Sequence, residues 1–129
     1  LFPNKGGQVK LNLTIEEAAA LHGIASAAAE LESFRNFRFQ LRQAQARLEG
    51  AIQRAGGHKI EKGWQLPKDR IRYQPVNVEL KQEEAIPLVR MADLIVSSSG
   101  REYGMRKVLA KATRKLASAL ERAGVKVLA

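Results

Sequence analysis

The chain contains no cysteine. That excludes disulfides and thiolate metal sites, and it is the usage expected of a cytoplasmic or other reducing compartment. Aromatic residues make up only 5%, so a core must be built mostly from Ala, Leu, Ile and Val. No apolar run approaches the roughly 18 residues that a membrane span needs, and no signal-peptide pattern is visible.

Catalytic constellations are missing too. His22 and His58 stand far apart in sequence, so neither a Cys/His pair nor a typical zinc set is available. No nucleophile elbow surrounds a serine. Neither Gly6-Gly7 nor Gly56-Gly57 leads into the Gly-Lys-Ser/Thr of a phosphate loop. The expectation is a protein that is not an enzyme and carries no cofactor or metal.

Acidic residues are in the minority: 13 against 22 Lys and Arg, giving a net charge of +9 and a pI of about 10.3. A balance this basic favours an acidic partner, whether nucleic acid, an anionic lipid surface or an acidic protein. With 129 residues the chain has room for one domain with a real core.

What the chain does have is one stretch twice. Val9, Leu13, Glu16, Glu17, Ala18, Leu21 and Ala25 align with Val76, Leu80, Glu83, Glu84, Ala85, Leu88 and Ala92. After one inserted residue, Arg38, Leu41, Ala44, Leu48, Ala51, Arg54, Ala55 and Gly56 align with Arg106, Leu109, Ala112, Leu116, Ala119, Arg122, Ala123 and Gly124. A repeat of this kind is usually one supersecondary unit that needs a neighbour to cover its apolar face. The organisation expected is a tail (1–8), a first repeat (9–57), a basic connector (58–75) and a second repeat (76–129), all in one compact domain.

Each repeat reads strand, helix, helix. Gln8 to Leu13 alternates, with Val9, Leu11 and Leu13 on one face. Thr14-Ile15-Glu16-Glu17 then fits a capping box, which makes the paired glutamates helix-start chemistry rather than a catalytic dyad. Ala18, Leu21, Ile24, Ala25, Ala28 and Leu31 form the apolar stripe of the first helix, with His22 beside it as a packing residue. Phe34, Phe37, Leu41, Ala44, Leu48, Ile52 and Ala55 form that of the second, and Phe39 falls off the stripe. Gly56-Gly57 stops that helix. The connector holds the single tryptophan, Trp64, among Lys59, Lys62, Lys68, Arg70 and Arg72, with a small hairpin expected around Lys62-Gly63. In the second repeat Lys81 replaces the capping threonine. Pro87 then predicts a helix that starts near Glu84, or one that is kinked.

The last helix, from about Arg101 to Ala123, is the most informative. Met105, Val108, Leu109, Ala112, Leu116, Ala119, Leu120 and Ala123 occupy one arc of its wheel. Lys107, Lys111, Arg114, Lys115 and Arg122 occupy the opposite arc with no acid among them. The corresponding residues of the first repeat are Phe39, Gln43, Ala46, Arg47 and Arg54, so only one copy carries the segregated basic face.

The fold expected is α+β and helix-dominated: a tandem strand-helix-helix unit, two antiparallel strands and four helices about a pseudo-two-fold axis. The order of elements, and the stretch from Val9 to Glu17, resemble ribbon-helix-helix DNA-binding proteins with both subunits fused in one chain. The resemblance implies that the paired strands face the major groove, which puts Lys10, Asn12 and Asn77 towards bases. Glu79 on that face, and helices longer than the family's, depart from the pattern. The function expected is non-catalytic nucleic-acid binding, DNA favoured, through Lys107, Lys111, Arg114, Lys115 and Arg122 with Lys10 and Asn12. The alternative is a protein-interaction module (adaptor, inhibitor or assembly subunit) docking on an acidic partner, with Phe39 and Trp64 as anchors. Self-association is compatible with either reading.

Overall fold

The computed structural model describes residues 8–61, 63–67, 75–98 and 105–125. The expected hairpin residue Lys62 and the connector cations Lys68, Arg70 and Arg72 lie outside them, as do Arg101 and the other residues before Met105.

Strand β1 (Gln8–Leu13) buries Val9, Leu11 and Leu13 and exposes Gln8, Lys10 and Asn12, as its alternation requires. It pairs antiparallel with β4 (Val76–Lys81), which exposes Asn77, Glu79 and Lys81. The register sets Val9 opposite Leu80, Leu11 opposite Val78 and Leu13 opposite Val76. The ribbon therefore has one wholly apolar face and one wholly polar face. On the polar face Gln8 meets Lys81, Lys10 meets Glu79, and Asn12 meets Asn77.

Four α-helices cover the apolar face: α1 (Ile15–Ala29), α2 (Arg38–Arg54), α3 (Gln82–Ser98) and α4 (Arg106–Arg122). β1 lies against α4, and β4 against α2. The buried Leu, Ile, Val and Ala side chains of both halves form one continuous cluster. Many of its members are alanines, including Ala18, Ala25, Ala28, Ala44, Ala92 and Ala112, which lets the helices approach closely. The helix-dominated α+β class is as the sequence implies. Among the described residues, no helix is long and apolar enough to cross a membrane.

Thr14 caps α1 as a full capping box. Its hydroxyl accepts the Glu17 amide at 3.1 Å, and Glu17 Oε1 accepts the Thr14 amide at 2.8 Å. Both second helices end in a Schellman motif. At α2, Gly56 and Gly57 donate to the carbonyls of Gln53 and Ile52; at α4, Gly124 and Val125 donate to those of Glu121 and Leu120. Gly56 and Gly124 adopt φ of 100° and 90°, the left-handed region that glycine enters without a Cβ penalty.

Four expectations need correction, each at the end of an element. α3 starts at Gln82, not near Glu84, and runs through Pro87. Glu84 Oε1 accepts the Lys81 amide at 3.0 Å, so half of the capping box survives without the threonine and holds the earlier start. Leu31 lies beyond the end of α1 and is exposed. Phe34 and Phe37 belong to a short 3₁₀ segment (Glu32–Phe37) ahead of α2, where Phe34 is half-buried and Phe37 exposed. Met105 precedes α4 and is exposed as well.

The connector forms the small hairpin expected. β2 (His58–Ile60) pairs antiparallel with β3 (Gly63–Gln65). Trp64 anchors it to α1: the indole Nε1–H donates to His22 Nδ1 at 3.3 Å, with the rings edge-on.

Candidate nucleic-acid interface

Two grooves flank the polar face of the ribbon. The first, about 350 Å³, lies between β1 and α4. Lys10 and Asn12 line it from the strand; Arg114, Lys115, Ser118 and Arg122 line it from the helix. These positions are adjacent because strand residues two apart share a face, and helix residues at three- and four-residue steps share a stripe. The second groove, about 420 Å³, lies between β4 and α2. Asn77 and Glu79 line it from the strand; Ala46, Arg47, Gly50 and Arg54 line it from the helix.

Residues named from the sequence thus divide as follows. Lys10, Asn12, Arg114, Lys115 and Arg122 meet in one groove. Lys107 and Lys111 are exposed further along α4. Asn77 lines the opposite groove. Phe39 is 62% exposed in the first turn of α2. Trp64 is half-buried and engaged with His22.

The cations are not equivalent. Lys115 Nζ donates to Glu17 Oε1 at 2.6 Å, and Arg47 Nε donates to Glu84 Oε1 at 2.8 Å. Both carboxylates are almost wholly buried. Lys115 and Arg47 are therefore largely spent on neutralising them. By contrast, no acid lies in ion-pair range of Lys10, Lys107, Lys111, Arg114 or Arg122 among the described residues.

The sequence missed the second groove and both ion pairs, α1 to α4 and α2 to α3. The signal was present in the alignment of Arg47 with Lys115 and of Glu17 with Glu84. A repeated spacing does not by itself reveal which helix faces which.

On the far side, His22 is buried and its Nε2 stands 3.5 Å from Glu49 Oε2, within ion-pair range. Burial depresses the His22 pKa below its ordinary 6.5, Glu49 opposes that by hydrogen bonding and charge, and Lys59 adds to the depression. A cavity of about 330 Å³ adjoins this cluster and the hairpin. Among the described residues, no group of three or more His, Cys, Asp or Glu is placed to hold a metal. Comparison with protein-family models, curated proteins and solved structures gives no match to this chain.

Proposed function

We propose that the chain is a duplicated strand-helix-helix unit folded about a pseudo-two-fold axis, and that it binds nucleic acid without catalysis, duplex DNA being the favoured ligand. The duplication is supported by the register. Exchanging Val9 with Val76 and Leu13 with Leu80 maps the Val9–Leu80 pair onto Val76–Leu13, and Leu11–Val78 onto itself. Each ion pair maps onto the other, since Glu17 aligns with Glu84 and Lys115 with Arg47. The grooves match in the same way, with Lys10, Asn12, Arg114, Ser118 and Arg122 against Asn77, Glu79, Ala46, Gly50 and Arg54.

The observation that carries the binding function is the convergence of Lys10, Arg114 and Arg122, distant in sequence and outside ion pairs among the described residues, on one groove beside a polar ribbon. Such cations neutralise phosphates and position the protein. A two-stranded ribbon fits the major groove, where side chains such as Asn12 meet base edges. Among the described residues no aromatic side chain lines either groove, which favours duplex over single-stranded nucleic acid.

The test is fluorescence anisotropy with a random-sequence DNA duplex, and a matched RNA, across a salt series. Micromolar or tighter binding is expected at low salt. It should fall linearly on a log-log plot with a slope of about 0.9 per phosphate contact. Charge reversal at Lys111 and Arg114 should flatten that slope. Absence of binding to either nucleic acid at low salt would overturn the reading and leave docking on an acidic protein as the better one.

A further inference from the structure

The two grooves match in position but not in charge, and this bears on how a ligand lies across them. In the β1–α4 groove, Lys10, Arg114 and Arg122 form no ion pair among the described residues, and no acid among those residues lines the groove. In the β4–α2 groove, Arg47 is held by Glu84, and the remaining cation, Arg54, shares the groove with Glu79. The strand positions are reversed in sign across the ribbon, because Lys10 pairs with Glu79 in register. Along the helices the difference continues. Lys107 and Lys111 extend the row on α4, whereas Phe39 and Gln43 stand at the matching positions of α2.

We propose that the protein grips duplex DNA from one side only. One phosphate strand tracks along α4 and β1, and the β4–α2 groove does not hold its counterpart. The inference rests on the nucleic-acid reading above and specifies its geometry. From Lys107 to Arg122 the helix rises about 22 Å, at roughly 1.5 Å per residue. A row of that length reaches several consecutive phosphates of a single backbone. A one-sided grip fixes the orientation of the protein on DNA. The preferred site is accordingly non-palindromic, unlike that of a symmetric dimer, whose two-fold axis imposes matching half-sites.

The comparison that tests this uses Arg122→Ala and Arg54→Ala. Both residues are exposed, both end the second helix of their half, and neither forms an ion pair among the described residues. Binding of each variant to a random-sequence duplex is followed across a salt series. Arg122→Ala should lower the slope by about 0.9, the loss of one phosphate contact, while Arg54→Ala should leave it unchanged. If Arg122→Ala reduces the folded yield, Lys107→Gln with Lys111→Gln supplies the same comparison from the exposed end of α4, and should lower the slope by about 1.8.

Equal losses from Arg54→Ala and Arg122→Ala would overturn the one-sided grip and leave nucleic-acid binding standing. A larger loss from Arg54→Ala would overturn it too. Failure of the unaltered protein to bind any duplex or RNA would overturn both readings together.

Discussion

Lys115 Nζ donates to Glu17 Oε1 at 2.6 Å, and that same oxygen accepts the Thr14 amide that caps α1. One carboxylate therefore ties the start of the first helix to a helix 98 residues distant in sequence. Glu84 does likewise, taking the Lys81 amide at 3.0 Å and Arg47 Nε at 2.8 Å. Each buried glutamate would be costly without its cation, and each cation is drawn from the opposite half of the chain. The two pairs thus bridge α1 to α4 and α2 to α3, across the two halves of the chain.

Lys115→Ala should consequently cost stability rather than binding. With the Lys115 side chain 43% exposed, the loss is about 1–2 kcal/mol, below the 3–5 of a fully buried pair. Lys111→Ala, on the solvent side of the same helix, should cost less than about 0.5 kcal/mol. Urea denaturation of Lys115→Ala, Glu17→Gln and the double variant measures the coupling. Strict additivity of the two single changes would show that the contact carries no energy.

The two helix starts predict opposite effects of a threonine. Thr14→Ala removes a hydroxyl that accepts the Glu17 amide and should destabilise by about 1 kcal/mol. Lys81→Thr introduces that hydroxyl three residues before Glu84, which already bonds the Lys81 amide. It should stabilise by about 0.5–1 kcal/mol. The urea midpoint should move down for the first and up for the second with no change in m-value.

Three glycines sort by what a Cβ would meet. At Gly57 it would sit 2.5 Å from Ile52 Cγ2 and 3.2 Å from the Ile52 carbonyl, and Ile52 is fully buried. Gly57→Ala should cost about 1–3 kcal/mol through overpacking. Gly56→Ala forces alanine to φ of 100° and should cost about 1–2 kcal/mol. At Gly23, inside α1 and exposed, nothing lies within 4 Å. Gly23→Ala should stabilise by roughly 0.5–1 kcal/mol. Thermal unfolding that ranks Gly23→Ala below the unaltered protein would contradict this ordering.

Local chemistry made much of the fold legible. The alternation of Val9, Leu11 and Leu13, the Thr14–Glu17 box and the Gly56 stop each depend on neighbours within about four residues, and each reads directly from sequence. Element ends were harder. Leu31, Phe37 and Met105 continue an apolar period past the point where the backbone leaves the helix, so periodicity alone placed them in the core. The start of α3 was misplaced because Pro87 weighed more than the reach of Glu84 back to Lys81. The meeting of Lys10 with Arg114 and Arg122 depends on strand β1 lying against α4, and nothing local to either segment encodes it. Nor did the basic arc reveal that Lys115 is spent on Glu17, since a helical wheel displays spacing and not the carboxylate of a facing helix.

His22 should couple the hairpin to pH. Its Nδ1 accepts the Trp64 indole N–H, so the docked form holds the neutral tautomer with its proton on Nε2, facing Glu49. A second proton would go to Nδ1 and face another N–H, breaking the contact. Around the imidazole stand Glu49 of α2 and Lys59 of β2. Burial is the largest influence and lowers the pKa, Glu49 raises it, and Lys59 lowers it further. The docked state therefore binds fewer protons than the undocked state between the depressed pKa and the ordinary 6.5. Docking is at full strength above about 6.5 and weakens as pH falls below it. Trp64 is the single tryptophan, so its emission maximum reports the change. A red shift is expected as pH is lowered from about 7.5 towards 5, and His22→Gln should abolish it. Position is the better readout than intensity, because an imidazolium quenches indole directly. An emission maximum that stays constant over that range, or that shifts equally in His22→Gln, would mean that His22 does not control the hairpin.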